Sequence, residues 1–222
     1  MKKAVSLMLI AAMTVGLTAC GSSADDSAAA DSSKQENETA TDAAGTSTDG
    51  DVFVIGGLGP LTGAAASYGI SVKQGAEVAI DEINAAGGVQ VGDKTYTLAL
   101  HFADDEASED KVITAYNSLM DSGINALLGC VTSGACLAVI DQTQADGILQ
   151  ITPSGSAEGC IEPDNAFRIC FSDPEQGVAM ADYAVDTLGY KKIAVLYNVA
   201  DEYSTGGLCI EFADGASERG GE

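Results

Sequence analysis

A short loop, Gly129–Gly134, has the residue types needed to hold a small anion. It follows an apolar run and opens a helical pattern, so its backbone N–H groups lie at the positive end of a helix. Thr132 and Ser133 add two hydroxyl groups at the same place. A competing interpretation is that one of these hydroxyls only caps the helix, although a capped helix end can still bind a carboxylate.

A second polar loop follows the next apolar run along the chain. In this segment, Thr152–Ser156, Pro153 fixes the backbone, while Ser154 and Ser156 offer compact donors and acceptors. Because the two loops follow adjacent elements, we expect them to face one crevice. Small hydroxyls and bare backbone favour recognition of a small polar head group over chemical turnover, with a plain serine–glycine turn as the alternative.

Other kinds of active site find little support in the sequence. The loop Gly57–Gly63 resembles a dinucleotide-binding loop only superficially, because Pro60 interrupts it and Thr62 stands at the third glycine position. The acidic run Asp104–Glu106 lacks the pattern of a calcium loop and is predicted to be a solvated surface. His101 lies inside a predicted strand and completes neither a catalytic triad nor a zinc site. We therefore expect no catalytic residue, no metal and no cofactor.

The elements that position these loops alternate between strands and helices. Apolar β-branched runs predict buried strands, and apolar residues at helical spacing predict helices. The predicted strands are 52–57, 95–102, 125–129, 148–151, 167–171 and 192–197, and the predicted helices are 67–86, 108–120, 133–145, 174–188 and 204–217. This alternation is typical of an α/β fold in which helices cover both faces of a parallel sheet and ligands bind at the carboxyl ends of the strands.

Several longer motifs share their pattern with one known family. They are Phe53–Gly63, Tyr68–Gly69, Gly75–Ala76, Ala79–Val89, Asp104–Asp105, Gly129, Gly147–Leu149, Thr152–Pro153, Lys192–Tyr197 and Tyr203–Ser204. With these motifs the chain resembles the branched-chain amino acid substrate-binding proteins of ABC transporters. The resemblance implies a type I periplasmic-binding-protein fold with two doubly wound parallel-sheet lobes. By that pattern residues 51–171 form most of lobe one, and residues 172–222 begin an incomplete lobe two.

The resemblance also implies roles for individual residues. Ser133 would bind the ligand carboxylate through its hydroxyl and backbone N–H, and Ser156 would donate to the same carboxylate. The backbone of Ser154 would accept from the ammonium group. Tyr68 would line the side-chain pocket, and Tyr203 would supply an aromatic contact from lobe two. The acid that balances the ammonium and the return segment to lobe one are expected to lie beyond the end of an apparently truncated sequence.

The first twenty residues have the features of an export signal. Two lysines precede Ala4–Val15, an apolar segment too short to span a bilayer, and Leu17–Cys20 looks like the lipobox of a bacterial lipoprotein. We expect lipidation of Cys20 and anchoring to the membrane, with a plain secretory signal as the alternative. Residues 21–50 contain almost no large apolar side chain and are predicted to be a disordered tether.

The net charge and the number of cysteines limit which partners and which disulfides are expected. The formal net charge of −23 argues against nucleic acid and against an anionic membrane surface as partners. Five cysteines follow Cys20, and an odd number leaves at least one thiol free or paired outside this sequence. The sequence does not fix their connectivity, but Cys160 and Cys170 flank a loop and are one candidate pair.

These features together predict a lipid-anchored, extracytoplasmic solute-binding component of an ABC transporter, on the outer face of the cytoplasmic membrane or in the periplasm. The expected ligand is a small, aliphatic amino acid or a related amide, and the expected partners are the permease subunits. The main alternative is a ligand-sensing lipoprotein of the same fold that acts through a signalling partner. A secreted hydrolase is a third, which the lack of a histidine-based nucleophile set disfavours.

Overall fold

The structure is a computed structural model, and it describes residues 51–221. The predicted signal segment, the lipidation site at Cys20 and the predicted tether lie outside the described residues. The strands are β1 (Asp51–Gly59), β2 (Val89–Val91), β3 (Lys94–Asp104), β4 (Ala126–Gly129), β5 (Leu149–Thr152) and β6 (Ala166–Arg168). The helices are α1 (Ala66–Ala85), α2 (Glu109–Asp121), α3 (Ser133–Ala145), α4 (Asp173–Asp182) and α5 (Cys209–Glu218). None of these helices combines the length and apolar character needed to cross a bilayer.

One sheet holds all six strands, in the order β2-β3-β1-β4-β5-β6. Every neighbouring pair is parallel except β2 and β3, which form an antiparallel hairpin that the sequence did not predict. Because these strands are parallel, the carboxyl ends of β1, β3, β4 and β5 lie on the same side of the sheet. The predicted α/β architecture is therefore confirmed, with a mixed but mostly parallel sheet.

The main core lies between the sheet and the helices α2 and α3. Leu58, Leu127, Val112 and Val139 are almost completely buried there. Burial of each such side chain contributes roughly 1.5–3 kcal/mol. Tyr116 is buried in the same cluster, and its hydroxyl donates to a carboxylate oxygen of Asp146 at 2.9 Å. This packing fixes the positions of α2 and α3, the helices that follow β3 and β4 in the chain.

Helix α1 begins against the turn that follows β1. A Cβ atom placed on Gly69 would lie 1.9 Å from the carbonyl oxygen of Pro60, so no larger residue fits without moving the helix. Glycine is needed here because the backbones approach so closely. This contact sets the position of the first turn of α1, which carries Tyr68.

A second, smaller cluster joins α4 to α5. Ala181, Val185 and Ala216 are buried in it. Helix α4 starts with a capping box, in which the Ser172 hydroxyl accepts from the Glu175 N–H and the Glu175 carboxylate accepts from the Ser172 N–H. The two clusters lie on either side of residues 171 and 172 in sequence, and the domain boundary at that point stays a prediction.

The strand predicted at 192–197 is not formed. The segment has no regular secondary structure, no strand lies beside it in the described part of the chain, and Leu196 is 100% exposed. A strand needs a neighbour for its backbone hydrogen bonds, so an apolar β-branched run alone does not produce one. The predicted strand at 167–171 likewise ends at Arg168, and Ile169 and Phe171 are exposed.

Candidate functional site

The two serine loops meet at the carboxyl ends of β4 and β5. The Ser133 hydroxyl accepts hydrogen bonds from the backbone N–H groups of Ser156 at 3.2 Å and Ala157 at 3.3 Å. Ser133 is the first residue of α3, and this helix begins directly after the short segment that follows β4. Both serines are buried, with exposed fractions of 4% and 3%. The structure thus brings together the two segments that the sequence assigned to one crevice.

Further hydroxyl groups fasten the second loop to the first. The Ser154 hydroxyl donates to the carbonyl oxygen of Val131 at 2.6 Å. The Thr152 hydroxyl donates to the carbonyl oxygen of Cys130 at 2.6 Å and accepts from the Gly155 N–H at 2.7 Å. The hydroxyls of Thr152 and Ser154 are therefore structural, and what Ser154 offers a ligand is its backbone.

Thr132 occupies the N-cap position of α3 without capping it. Its side chain makes no hydrogen bond to the first turn, and its hydroxyl oxygen is buried without a partner among residues 51–221. The first N–H groups of a helix have no partner within the helix. Because the cap leaves them without a side-chain acceptor, the start of α3 keeps the donors that an anion requires.

The two predicted tyrosines lie apart from this hydrogen-bond network. Tyr68, in the first turn of α1, is 67% exposed. Tyr203 exchanges hydrogen bonds with the side-chain amide of Gln176, at 3.1 and 3.2 Å. Neither side chain hydrogen-bonds to the serine loops within the described residues.

Arg168 and Asp173 belong to the site, and the sequence prediction missed both. Arg168, at the end of β6, donates from Nη1 to the carbonyl oxygens of Ser156 at 2.9 Å and Ala157 at 3.0 Å. The backbone N–H of Asp173 donates to the same Ser156 carbonyl at 3.0 Å. These bonds hold the backbone of the second loop from the side opposite Ser133.

The Asp173 carboxylate is buried, and neither of its oxygens has a hydrogen-bond partner of ordinary geometry among the described residues. Burial raises the pKa of this carboxyl group, although the nearby Ser156 hydroxyl and the Arg168 guanidinium act in the opposite direction. In the sequence, the only signal was an acid in front of Pro174, at the start of a predicted helix.

Asp104 connects the loop after β1 to the end of β3. Its carboxylate accepts from the Leu61 N–H at 2.8 Å, the Thr62 hydroxyl at 2.7 Å and the Glu106 N–H at 2.9 Å. Partial burial raises the pKa of Asp104, but these hydrogen bonds outweigh it and hold the pKa below its usual value. The loop that leads to Tyr68 is therefore fixed at its beginning by a charged acceptor.

The prediction that Asp104–Glu106 is a solvated surface is wrong for Asp105, which is completely buried. Glu106 and Ala107 adopt left-handed backbone angles, with φ of 52° and 55°, and this turn directs the preceding side chain inward. One carboxylate oxygen of Asp105 accepts from the Ala107 N–H at 2.8 Å. Burial raises the pKa of Asp105 to about 6.

Cys160 and Cys170, the candidate disulfide pair, are both free thiols in the structure, and their pairing stays a prediction. Cys160 is completely buried behind the second serine loop, where its thiol points to the carbonyl oxygen of Ser133 at 3.9 Å. Cys170 lies beyond β6 and is only partly buried. The Cys160 thiol is thus directed towards α3.

The site combines free N–H groups at the start of α3 with the buried carboxylate of Asp173 next to the second loop. Such an arrangement suits a small molecule that carries a negative and a positive group. Within residues 51–221, no cluster of three or more histidine, cysteine, aspartate or glutamate side chains is placed to hold a metal ion.

Comparison with known proteins agrees with this architecture. The sequence profile of the periplasmic binding protein family matches residues 53–222. Leu/Ile/Val-binding protein homolog 3 of Brucella melitensis is 37% identical over 148 residues, which cover 66% of this chain and 39% of the relative. The chain therefore spans about two fifths of the length of that relative.

Two solved structures share the fold. The leucine-binding protein LivK of Thermotoga maritima has a TM-score of 0.68 and 27% identity, over 77% of this chain and 47% of its own. The branched-chain amino acid substrate-binding protein LivJ of Streptococcus pneumoniae, in complex with isoleucine, has a TM-score of 0.68 and 26% identity, over 74% and 46%. These matches confirm the predicted type I periplasmic-binding-protein fold. Since the family profile covers almost all of the described residues, the chain belongs to the periplasmic binding protein family.

Proposed function

We propose that this chain carries the ligand-binding loops of an extracytoplasmic solute-binding protein that captures a small aliphatic amino acid for an ABC transporter. The observation that carries the proposal is the contact between Ser133 and Ser156, which joins two donor-rich loops at the ends of neighbouring strands. Relatives named Leu/Ile/Val-binding proteins and a similar structure that holds isoleucine support this ligand class. The role is capture and release, without covalent chemistry.

The carboxylate of the ligand binds at the start of α3. Without ligand, the Ser133 hydroxyl is the acceptor for the N–H groups of Ser156 and Ala157. A carboxylate that replaces it as acceptor gains two N–H donors, and the Ser133 hydroxyl then donates to the carboxylate as well. Hydrogen bonds to an ionised acceptor are about twice as strong as neutral ones, so the exchange favours the bound state.

The ammonium group binds between the backbone carbonyl of Ser154 and the carboxylate of Asp173. A buried carboxylate is costly because its charge is removed from water, and the Ser156 hydroxyl and the Arg168 guanidinium offset that cost only in part. An ammonium group beside Asp173 offsets that cost and lowers the raised pKa of the acid. The counter-charge expected beyond the end of the sequence is thus assigned to a residue within this chain.

Aromatic contacts, lobe closure and a lipid anchor complete the proposed binding cycle. Tyr68 and Tyr203 form aromatic walls for the aliphatic side chain, and the lobes close by a hinge near residues 171 and 172. Lipid at Cys20 anchors the protein outside the cytoplasmic membrane, where the closed form docks on permease subunits. Closure excludes water and strengthens the charge-assisted hydrogen bonds to the ligand.

Calorimetric titration with two ligands of equal shape tests the assignment. L-leucine carries both charged groups, whereas 4-methylpentanoate has the same side chain and carboxylate but no ammonium. Asp173→Asn is expected to weaken leucine binding at least about tenfold and to leave 4-methylpentanoate binding almost unchanged. The matched control, Asp214→Asn, removes an acid from the exposed surface of α5 and should change neither.

Two results would contradict the proposal. One is the absence of binding heat with every aliphatic amino acid. The other is an equal loss of affinity for both ligands in Asp173→Asn, since a general loosening of the site does not distinguish them.

A further inference from the structure

Two buried thiols meet directly behind the serine loops. Cys136 lies in the first turn of α3, and Cys160 lies in the short 3-10 helix Glu158–Ile161 that follows the second loop. Both side chains are completely buried. The Cys136 thiol donates to the carbonyl oxygen of Cys160 at 3.9 Å, so the two residues face each other across the core.

The space next to Gly155 shows how close the two side chains are. A Cβ atom built on Gly155 would lie 3.3 Å from the sulfur of Cys160 and 3.5 Å from the Cβ of Cys136. The neighbouring Cys136 thiol is the largest cause of the raised pKa of Cys160, and burial adds to it. Two buried cysteines that face each other in this way are candidates for a disulfide.

We propose that Cys136 and Cys160 form a disulfide in the exported protein. The bond forms when one thiolate attacks the disulfide of an oxidant, such as oxidised glutathione, to give a mixed disulfide and one glutathione thiolate. The second cysteine thiolate then attacks the mixed disulfide and releases the other glutathione thiolate. The two cysteines lose two protons and two electrons, and the oxidant is reduced to two thiols. Because Cys160 forms a single bond, this pairing replaces the one between Cys160 and Cys170.

The timing of oxidation follows from burial. A thiol reacts as its thiolate, and a buried thiol with a raised pKa is almost never ionised. Oxidation therefore takes place during folding, before the core closes over Cys160, and the finished bond is shielded from small reductants.

The bond would link the two loops covalently. It closes the chain between residues 136 and 160, a segment that contains β5 and the whole second serine loop. Ser133 precedes one cysteine by less than a helical turn, and Ser156 precedes the other by four residues. A disulfide here limits the freedom of both loops in the unfolded chain and holds them together in the folded one.

Mass spectrometry of the whole chain, refolded in a glutathione buffer, tests the pairing. Free thiols are blocked with iodoacetamide under denaturing conditions, the protein is then reduced, and new thiols are labelled with N-ethylmaleimide. The expected result is N-ethylmaleimide on Cys136 and Cys160 and iodoacetamide on Cys20, Cys130, Cys170 and Cys209. Digestion after Glu158 without reduction should give one cross-linked pair of peptides, with fragmentation separating Cys130 from Cys136.

Thermal unfolding with and without reductant gives a second readout. Protein refolded in the presence of reductant should have a Tm about 5–10 °C below that of the oxidised protein, as expected for the loss of a disulfide that closes a loop of this size. Cys170→Ala should keep that difference, and Cys136→Ala should abolish it. Iodoacetamide on all six cysteines of the refolded protein, or a cross-link through any other pair, would overturn the proposal. If Cys136→Ala fails to fold, the labelling result on the unsubstituted chain still tests whether Cys136 and Cys160 are paired.

Discussion

The hydroxyl oxygen of Ser133 lies 3.2 Å from the backbone nitrogen of Ser156, and the two residues are separated by 23 positions in sequence. One begins α3 after β4, and the other follows β5, the next strand in the sheet. Because the Ser133 hydroxyl accepts from the backbone of the second loop, the shape of each loop depends on the other. A ligand that displaces this bond contacts both loops at once.

The position of α1 depends on the lack of a side chain at Gly69. Gly69→Ala should destabilise the protein by about 2–4 kcal/mol, because the new methyl group would overlap the carbonyl oxygen of Pro60 and push the helix away. Gly75→Ala is the matched control on the same helix, where a Cβ meets nothing within 4 Å. It should stabilise by about 0.5–1 kcal/mol, since alanine is the better helix former. Urea denaturation of both variants measures the contrast, and the same sign for both would contradict it.

The attachment of the loop after β1 depends on Asp104. Asp104→Ala should lower the free energy of unfolding by about 2–4 kcal/mol, because three hydrogen-bond donors lose a charged acceptor. Thr62→Ala removes one of those donors and should cost about 1 kcal/mol. Asp141→Ala, an exposed acid on α3, should stay within about 0.5 kcal/mol of the parent chain. Urea denaturation measures all three, and equal values for Asp104→Ala and Asp141→Ala would show that the loop is held otherwise.

Asp105 predicts a specific dependence of stability on pH. Its pKa in the folded protein is about 6, whereas the ordinary value is 3.8. Between these values the folded protein holds a proton that the unfolded chain has released, so stability falls as the pH rises through this range. Asp105→Asn cannot titrate, so the parent chain should lose up to about 3 kcal/mol relative to this variant between pH 4 and pH 7.

The comparison with Asp105→Asn isolates one carboxyl group, because every other titrating residue is the same in both proteins. Denaturant unfolding at several pH values between about 4 and 7 gives the difference in free energy directly. A difference that stays constant with pH would mean that Asp105 titrates like an exposed acid, against its burial in the structure.

Much of this fold was predictable, because regular elements leave a periodic signal. The residue limits predicted for α3 agree with the structure, since an apolar helical pattern begins directly after a serine and ends before a glycine. The parallel direction of most strands was predictable from the alternation of strands and helices along the chain. The segment 192–197 was predicted to be a strand for the same reason, but strand pairing depends on a neighbouring segment that local sequence does not reveal.

The polar parts of the site were harder to predict. Asp105 and Asp104 are adjacent and identical in type, yet one is buried and the other fastens a loop, because left-handed angles at Glu106 and Ala107 reverse the chain. Asp173 and Arg168 meet the second serine loop only after β6 aligns beside β5. Their roles are set by contacts between segments distant in sequence, which residue types alone do not specify.

The most direct test of the account is a titration of the chain with L-leucine, followed by the NMR shifts of the backbone amides. We expect saturable changes that are largest at the amides of Ser133, Ser156 and Ala157, because a bound carboxylate replaces the acceptor of the last two. Ser133→Ala should abolish them, while Ser122→Ala, a distant change of the same kind, should not. Shifts centred elsewhere on the sheet, or no shift at about 10 mM leucine, would contradict the claim that these loops hold an amino acid.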